Sequence, residues 1–274
     1  MFLSPRRTRD ELAGFYELGY RTAQHGTEEP TAAMMAFEAA RAESQLAILR
    51  RRCPSVQDFL EIGCGAGRLM RLVSRQLGAR AVGIEPGARY REFLRREGLA
   101  VYGSLEELRE REPERRFDLV CLSHVLEHLP DPVAYLDALR QGPLRPTGAL
   151  YVEVPNVLAH TSFEPGHLYS FTAETLRRVV ERAGFGVRHL ELHSRPRKRD
   201  PRRLYVSMVI APEAAPAART YDTPVPTTTY VHRLVEHNGL DHPLWFLRTL
   251  AGRAAAGLRA RVGPGRDRPR NRLA

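Results

Sequence analysis

"FLEIGCGAGRL", Phe59 to Leu69, decides the fold. A short apolar run stops at Ile62, glycines follow at 63, 65 and 67, and a helix-like pattern begins behind them. At a strand-to-helix turn such glycines remove the side chains that would keep a ligand away from the backbone, and the helix start offers oriented amides. Alone, the pattern is weak evidence, because a plain tight turn also explains it. Glu85 strengthens the ligand reading: it stands 20 residues beyond Gly65, at the end of the next apolar run, where an acid can accept both hydroxyls of a ribose. The dinucleotide fingerprint is not met, because Arg68 occupies the position where it requires glycine, so spacing disfavours NAD.

Outward from this turn, "VQDFLEIG", "RAVGIEPG", "LAVYGS", "RFDLVCLSH" and "GALYVEVPN" read as short strands. They alternate with the helical patterns "CGAGRLMRLVSRQLG", "ARYREFLRREG", "LEELRERE" and "DPVAYLDALRQG". Such alternation predicts an α/β, doubly wound, mostly parallel sheet. "AETLRRVVERAG" is a further helix that Thr172 can cap, with Thr175 where a capping box would carry an acid. "FGVRHLELHS" and "RLYVSMVIAPE" complete seven strands. Residues 1–54 are expected to form an N-terminal helical cap, since "TAAMMAFEAARAESQLAILRRR" repeats apolar residues at three and four. The ligand-binding domain follows over 55–211, then a linker and C-terminal helical extension over 212–262. Residues 263–274 lack apolar periodicity and are expected to be a disordered basic tail.

Composition narrows the function classes. No run of eighteen apolar residues occurs and the N-terminus carries no cleavable signal pattern, so the expectation is a soluble cytoplasmic protein without a transmembrane segment. Three scattered cysteines, Cys53, Cys64 and Cys121, indicate neither a disulfide framework nor a thiolate zinc site. The net charge of +10 concentrates in "RPRKRDPRR" and in the stretch from Arg248 to Ala274, leaving about −2 for the remainder. Without interleaved aromatic residues, these patches make nucleic acid a disfavoured partner.

The series "FLEIGCGAGRL", "VGIEPG", "FDLVCLSHVLEHLPDPVAYLDALRQGPLRPTGALYVEVPN" and "HLYSFTAETLRRVVERAGF" resembles the class I S-adenosylmethionine-dependent methyltransferases, in particular the branch of ubiquinone-biosynthesis-like O-methyltransferases. The resemblance covers roughly residues 55 to 210 and implies a Rossmann-like sheet with S-adenosyl-L-methionine as cofactor. By it, Gly63, Cys64, Gly65 and Gly67 pass the methionine moiety, Glu85 holds the ribose, and Pro86, Ser104 and Leu105 lie by the adenine. Ser104 stands where the family often has Asp. Glu61 is implied to bear on the cationic cofactor, and Ser123 to line it.

"SHVLEHLPDP", Ser123 to Pro132, carries the chemistry at the carboxyl edge of the fourth strand. His124 and His128 are four apart with Glu127 between, so one helical turn would bring both rings to one side. Three readings stay open. These side chains can serve structure; His128, His167 or His124 can be a general base for a substrate hydroxyl; or a metal can bind. Relatives in the resembled branch can carry E-x-x-E-H and a later histidine around a divalent ion. Here "HVLEH" replaces the first glutamate, which leaves His124, Glu127, His128 and His167 as the metal set and disfavours magnesium. A divalent metal is the less favoured reading.

The expected activity is methyl transfer to a hydroxyl of a small, anionic molecule such as a natural product, sugar or quinone-like compound. N- or C-methylation and RNA modification are the alternatives. Candidate acceptor contacts are Tyr16, Tyr20 and Arg21 in the cap, Asn156 and Tyr169 near the fifth strand, and Arg197 in the basic hairpin, whose arginines suit phosphate or carboxylate groups. "HPLWFLRTLAGRAAAGLRARV" could pack on the body, join two subunits as a homodimer or rest on an anionic membrane surface, and packing or dimerisation is the favoured reading.

Overall fold

The computed structural model of the protein describes residues 9–159, 166–194 and 203–213. The expected extension beyond Glu213, the basic tail and Arg197 lie outside them. Three helices come first: α1 (Arg9–Leu18), α2 (Tyr20–His25) and α3 (Ala32–Arg52). Thr31 caps α3 by accepting a hydrogen bond from Met34 N, and Gly26, at φ 76°, closes α2.

The sheet is built from β1 (Asp58–Ile62), β2 (Arg80–Ile84), β3 (Ala100–Tyr102), β4 (Phe117–Ser123), β5 (Leu144–Pro155), β6 (Phe185–His193) and β7 (Tyr205–Pro212). Its strand order is β3-β2-β1-β4-β5-β7-β6. The first five are mutually parallel, whereas β7 runs antiparallel between β5 and β6. The expected seven-stranded, mostly parallel sheet with its N-terminal helical cap is therefore present, and β6 runs parallel to the core strands.

Helices α4 (Arg68–Leu77), α5 (Ala88–Arg96), α6 (Leu105–Arg111), α7 (Pro132–Gln141) and α8 (Ala173–Arg182) cover the two faces. Successive strand residues point to opposite faces, and in β4 Leu119 and Cys121 join one buried cluster while Val120 and Leu122 join the other. Coverage on both sides explains why "LVCL" is apolar without alternation. The first cluster also takes Leu46 and Leu49 of α3 and Met70 and Val73 of α4, so the cap helix shares the core of the domain. Hydroxyls do the capping at α8: Thr172 accepts from Thr175 N, and the Thr175 side chain accepts from Thr172 N.

Strand order reverses between β1 and β4, and a crevice opens beyond the carboxyl ends at such a point. The amino edge is closed instead. There Asp58, 1 % exposed, accepts from Arg80 at 2.6 Å and Arg145 at 3.1 Å and pairs with Arg115. Among the described residues no helix is long and apolar enough to cross a membrane.

Candidate active site

The glycine turn lies at the reversal point. Gly63 and Gly65 have φ of 71° and 53°, a left-handed backbone that other residues adopt only with strain. A Cβ on Gly63 would come within 2.6 Å of Val125, and one on Gly65 within 2.8 Å of the Glu38 carboxylate. Glu85 faces the turn from the end of β2. Its Oε2 accepts from Gly65 N and its Oε1 from Gly87 N, both at 2.9 Å. Arg91 fixes the bend behind it by donating to the carbonyls of Glu85, at 2.9 Å, and Pro86.

Two further carboxylates face the same turn. Glu61 Oε2 accepts from Met70 N at 3.2 Å, and Glu38, from α3, accepts from Ala66 N at 3.0 Å. Burial, reinforced by Glu38, pushes the Glu61 carboxyl up to about 8. Burial likewise raises Glu38. A region where carboxylates are held against ionisation by desolvation is one that favours an incoming cation.

Beyond β4 the chain makes a sharp turn. His124 has φ of 55°, the single non-glycine residue with positive φ among those described, and a 3-10 turn over Leu126–His128 follows. The turn is fastened to the segment after β5, since Glu127 O accepts from Leu168 N and Tyr169 N at 2.8 and 3.1 Å. His128 Nδ1 lies 3.0 Å from Gly166 O. A carbonyl can only accept, so Nδ1 carries the proton and neutral His128 keeps its lone pair on Nε2. Burial holds His128 below the ordinary histidine value, hence neutral. The His128 ring packs edge-on against His167 at 4.8 Å, Tyr16 at 5.7 Å and Tyr20 at 5.8 Å.

His124 does not share that cluster. Its Nδ1 stands 3.3 Å from Glu127 Oε1 and its Nε2 3.6 Å from Glu153 Oε1. Burial and Arg41 oppose its protonation, but the two carboxylates outweigh them and raise it. Glu153, fully buried in β5, accepts from Gln45 at 2.9 Å, Ser123 at 3.0 Å, Tyr151 at 2.7 Å and Ser207 at 3.1 Å, and pairs with His193. It stays well below the ordinary carboxylate range against the cost of burial, because His124 and His193 face it.

The family model of a methyltransferase domain matches residues 35–190, more than half of the chain. The chain belongs to that family. Among curated relatives, the ubiquinone biosynthesis O-methyltransferase of Rhodopseudomonas palustris (strain BisB5) is 34% identical over 108 residues, which are 38% of this chain and 42% of that protein. The enzyme of the same description from Xylella fastidiosa (strain 9a5c) is 30% identical over 140 residues, 48% of this chain and 53% of that protein. The chain thus matches about half of these relatives' length or less. A solved Burkholderia thailandensis 1,6-didemethyltoxoflavin-N1-methyltransferase, crystallised with that compound and S-adenosylhomocysteine, superposes with a TM-score of 0.58. It is 22% identical and covers 77% of this chain and 93% of its own, a likeness that establishes the fold.

Gly63, Cys64, Gly65 and Gly67 form one turn, with Glu61, Glu85 and Pro86 around it. Ser104 and Leu105 begin α6, where the Ser104 hydroxyl is committed as N-cap to Glu107 N. Ser123 is tied to Gln45 and Glu153 within the buried network. Asn156 is likewise committed, donating to Arg203 O and accepting from Leu158 N. Tyr169 donates to Pro130 O at 3.0 Å. Tyr16 and Tyr20 reach His128, whereas Arg21 pairs with Glu85. Sequence reasoning missed Glu38, Arg41, Gln45, Glu153 and His193. For Glu153 and Gln45, polar residues interrupting "LYVEVP" and the apolar stripe of α3 were the available signal.

Proposed function

We propose that the protein transfers the methyl group of S-adenosyl-L-methionine to a hydroxyl of a small molecule, with His128 as the general base. The observation that carries this is the Gly166 carbonyl on His128 Nδ1, which leaves the lone pair on Nε2 of a ring packed against Tyr16 and Tyr20. The glycine turn with Glu85 is the seat for the nucleoside, and Glu61 and Glu38 are buried carboxyls whose ionised form a bound sulfonium would favour. Methyl transfer then requires in-line placement of the acceptor oxygen and exclusion of water, with the cap tyrosines as a wall of the acceptor site. Removing the hydroxyl proton matters most for an alcohol, since a phenol is already acidic. An anionic natural product, sugar or quinone-like compound is the acceptor class this reading favours, with Arg197 as a contact for its charge.

A metal reading has one observation in its favour. The buried Glu127 carboxylate faces His124 Nδ1 at 3.3 Å from Oε1, and ligand atoms of Glu127, His128 and His167 lie within 4.8 Å of one another. Glu127, His128 and His167 would hold a divalent ion, with nitrogen donors that suit zinc, manganese or iron. Such an ion would polarise the acceptor oxygen. The two readings exclude each other at His128, whose single lone pair can serve a proton or an ion.

The test is a screen of hydroxylated acceptors with labelled cofactor, followed by His128→Gln. The base reading expects turnover to fall about 100-fold or more at unchanged cofactor affinity, and chelator to have no effect. Unchanged turnover in His128→Gln, or activity lost to chelator and restored by a divalent ion, would contradict it.

A further inference from the structure

The cap does more than border the crevice: it reaches the carboxylate proposed to hold the ribose. Arg21, from α2, places its Nη2 3.3 Å from Glu85 Oε2, with the two side chains 15 % and 3 % exposed. The guanidinium also stacks over the Tyr90 ring at 4.3 Å, so it is held on two sides. Independently, Glu38 of α3 accepts from Ala66 N on the glycine turn itself.

A carboxylate offers about four lone-pair sites. At Glu85, Gly65 N, Gly87 N and Arg21 take three of them. A ribose presenting two hydroxyls needs two, so one occupant must leave. The amides belong to the turn and cannot withdraw without unmaking it. Arg21 is carried on a six-residue helix bounded by Gly19 and Gly26, the latter in the left-handed conformation, and it can.

We propose that α2 is a latch on the cofactor crevice: Arg21 occupies, on Glu85, the place of a ribose hydroxyl, and the cofactor is admitted only when that ion pair opens. The latch rests on the reading of Glu85 as ribose acceptor. It makes Arg21 a determinant of the rate at which the nucleoside binds, separate from the methyl-transfer chemistry around His128.

The full chain, stripped of ligand, would be mixed with S-adenosylhomocysteine and its association followed by stopped flow and surface plasmon resonance. In the wild type the observed rate should level off with ligand concentration, as an opening step requires. Arg21→Met keeps the apolar stem over Tyr90 and removes the charge. It should raise the association rate about five- to tenfold, tighten binding and abolish the plateau. Weaker binding in Arg21→Met would make Arg21 a cofactor contact and overturn the latch, as would unchanged rates. Glu85→Ala separates the two ideas. If it leaves nucleoside affinity intact, the ribose reading itself fails. If it abolishes binding while Arg21→Met changes nothing, the latch alone fails.

Discussion

At Glu61 a carboxyl is denied its charge by its surroundings, which has a measurable consequence. Burial, the largest cause, pushes it up to about 8. A sulfonium cation favours the carboxylate, so binding expels a proton wherever Glu61 is still protonated. Affinity for S-adenosylmethionine should therefore climb as pH rises towards 8 and level off above it, with a smaller climb for S-adenosylhomocysteine, which lacks that cation. Calorimetry across about pH 6 to 9, with both ligands, checks this; parallel profiles would contradict it. Glu153 shows the opposite case. Its folded value lies well below the unfolded one, so the stabilisation it gives is complete above the unfolded carboxyl value and is lost as pH falls through the folded value. Glu153→Gln should cost about 3 kcal/mol or more at neutral pH in urea denaturation, with a smaller difference below about pH 4. Gly63, Gly65 and Glu85 were legible because glycine and acid at that spacing have one economical explanation. The Glu153 network was not, because Gln45 and Ser207 lie 108 and 54 residues from it in sequence.

Helices and strands were legible wherever period and punctuation agreed. The apolar runs "FLEI" and "LVCL" became β1 and β4, and Cys53-Pro54 ended α3 as expected. The break at Gly19 that divides α1 from α2 carried no such signal, because the apolar pattern runs across it. Nor did the left-handed turn at His124: helical spacing would have placed His124 with His128, while φ of 55° turns it towards Glu153. That one backbone angle separates the histidine held between carboxylates from the histidine that faces the cap. At α8 a pair of threonines does the work of a threonine and an acid, and the expected cap is present with that exchange. Thr172→Ala should lower stability by about 1 kcal/mol by thermal or urea denaturation, without altering nucleoside affinity. An unchanged midpoint would mean that water replaces the cap at no cost.

The whole molecule places three carboxyl groups, a glycine turn and a histidine turn at one edge of a sheet, then brings helices from the far N-terminus over them. Composition alone pointed away from this: a net charge of +10 suggests anionic partners, yet the crevice is lined by Glu38, Glu61 and Glu85. Charge sums report the surface of a chain, and binding sites are decided by what the fold buries. The cap was legible as helices; its reach to Glu85 was not, since nothing in "GYRTAQH" specifies a partner 64 residues away. Methyl transfer at this edge requires that the glycine turn and Glu85 seat a nucleoside. Titration of ligand-stripped protein with S-adenosylhomocysteine by calorimetry tests this most directly. One molecule should bind per chain, and Glu85→Ala should lose that binding while keeping the wild-type fold by circular dichroism; no uptake by the wild type, or equal uptake by the folded variant, would contradict the account.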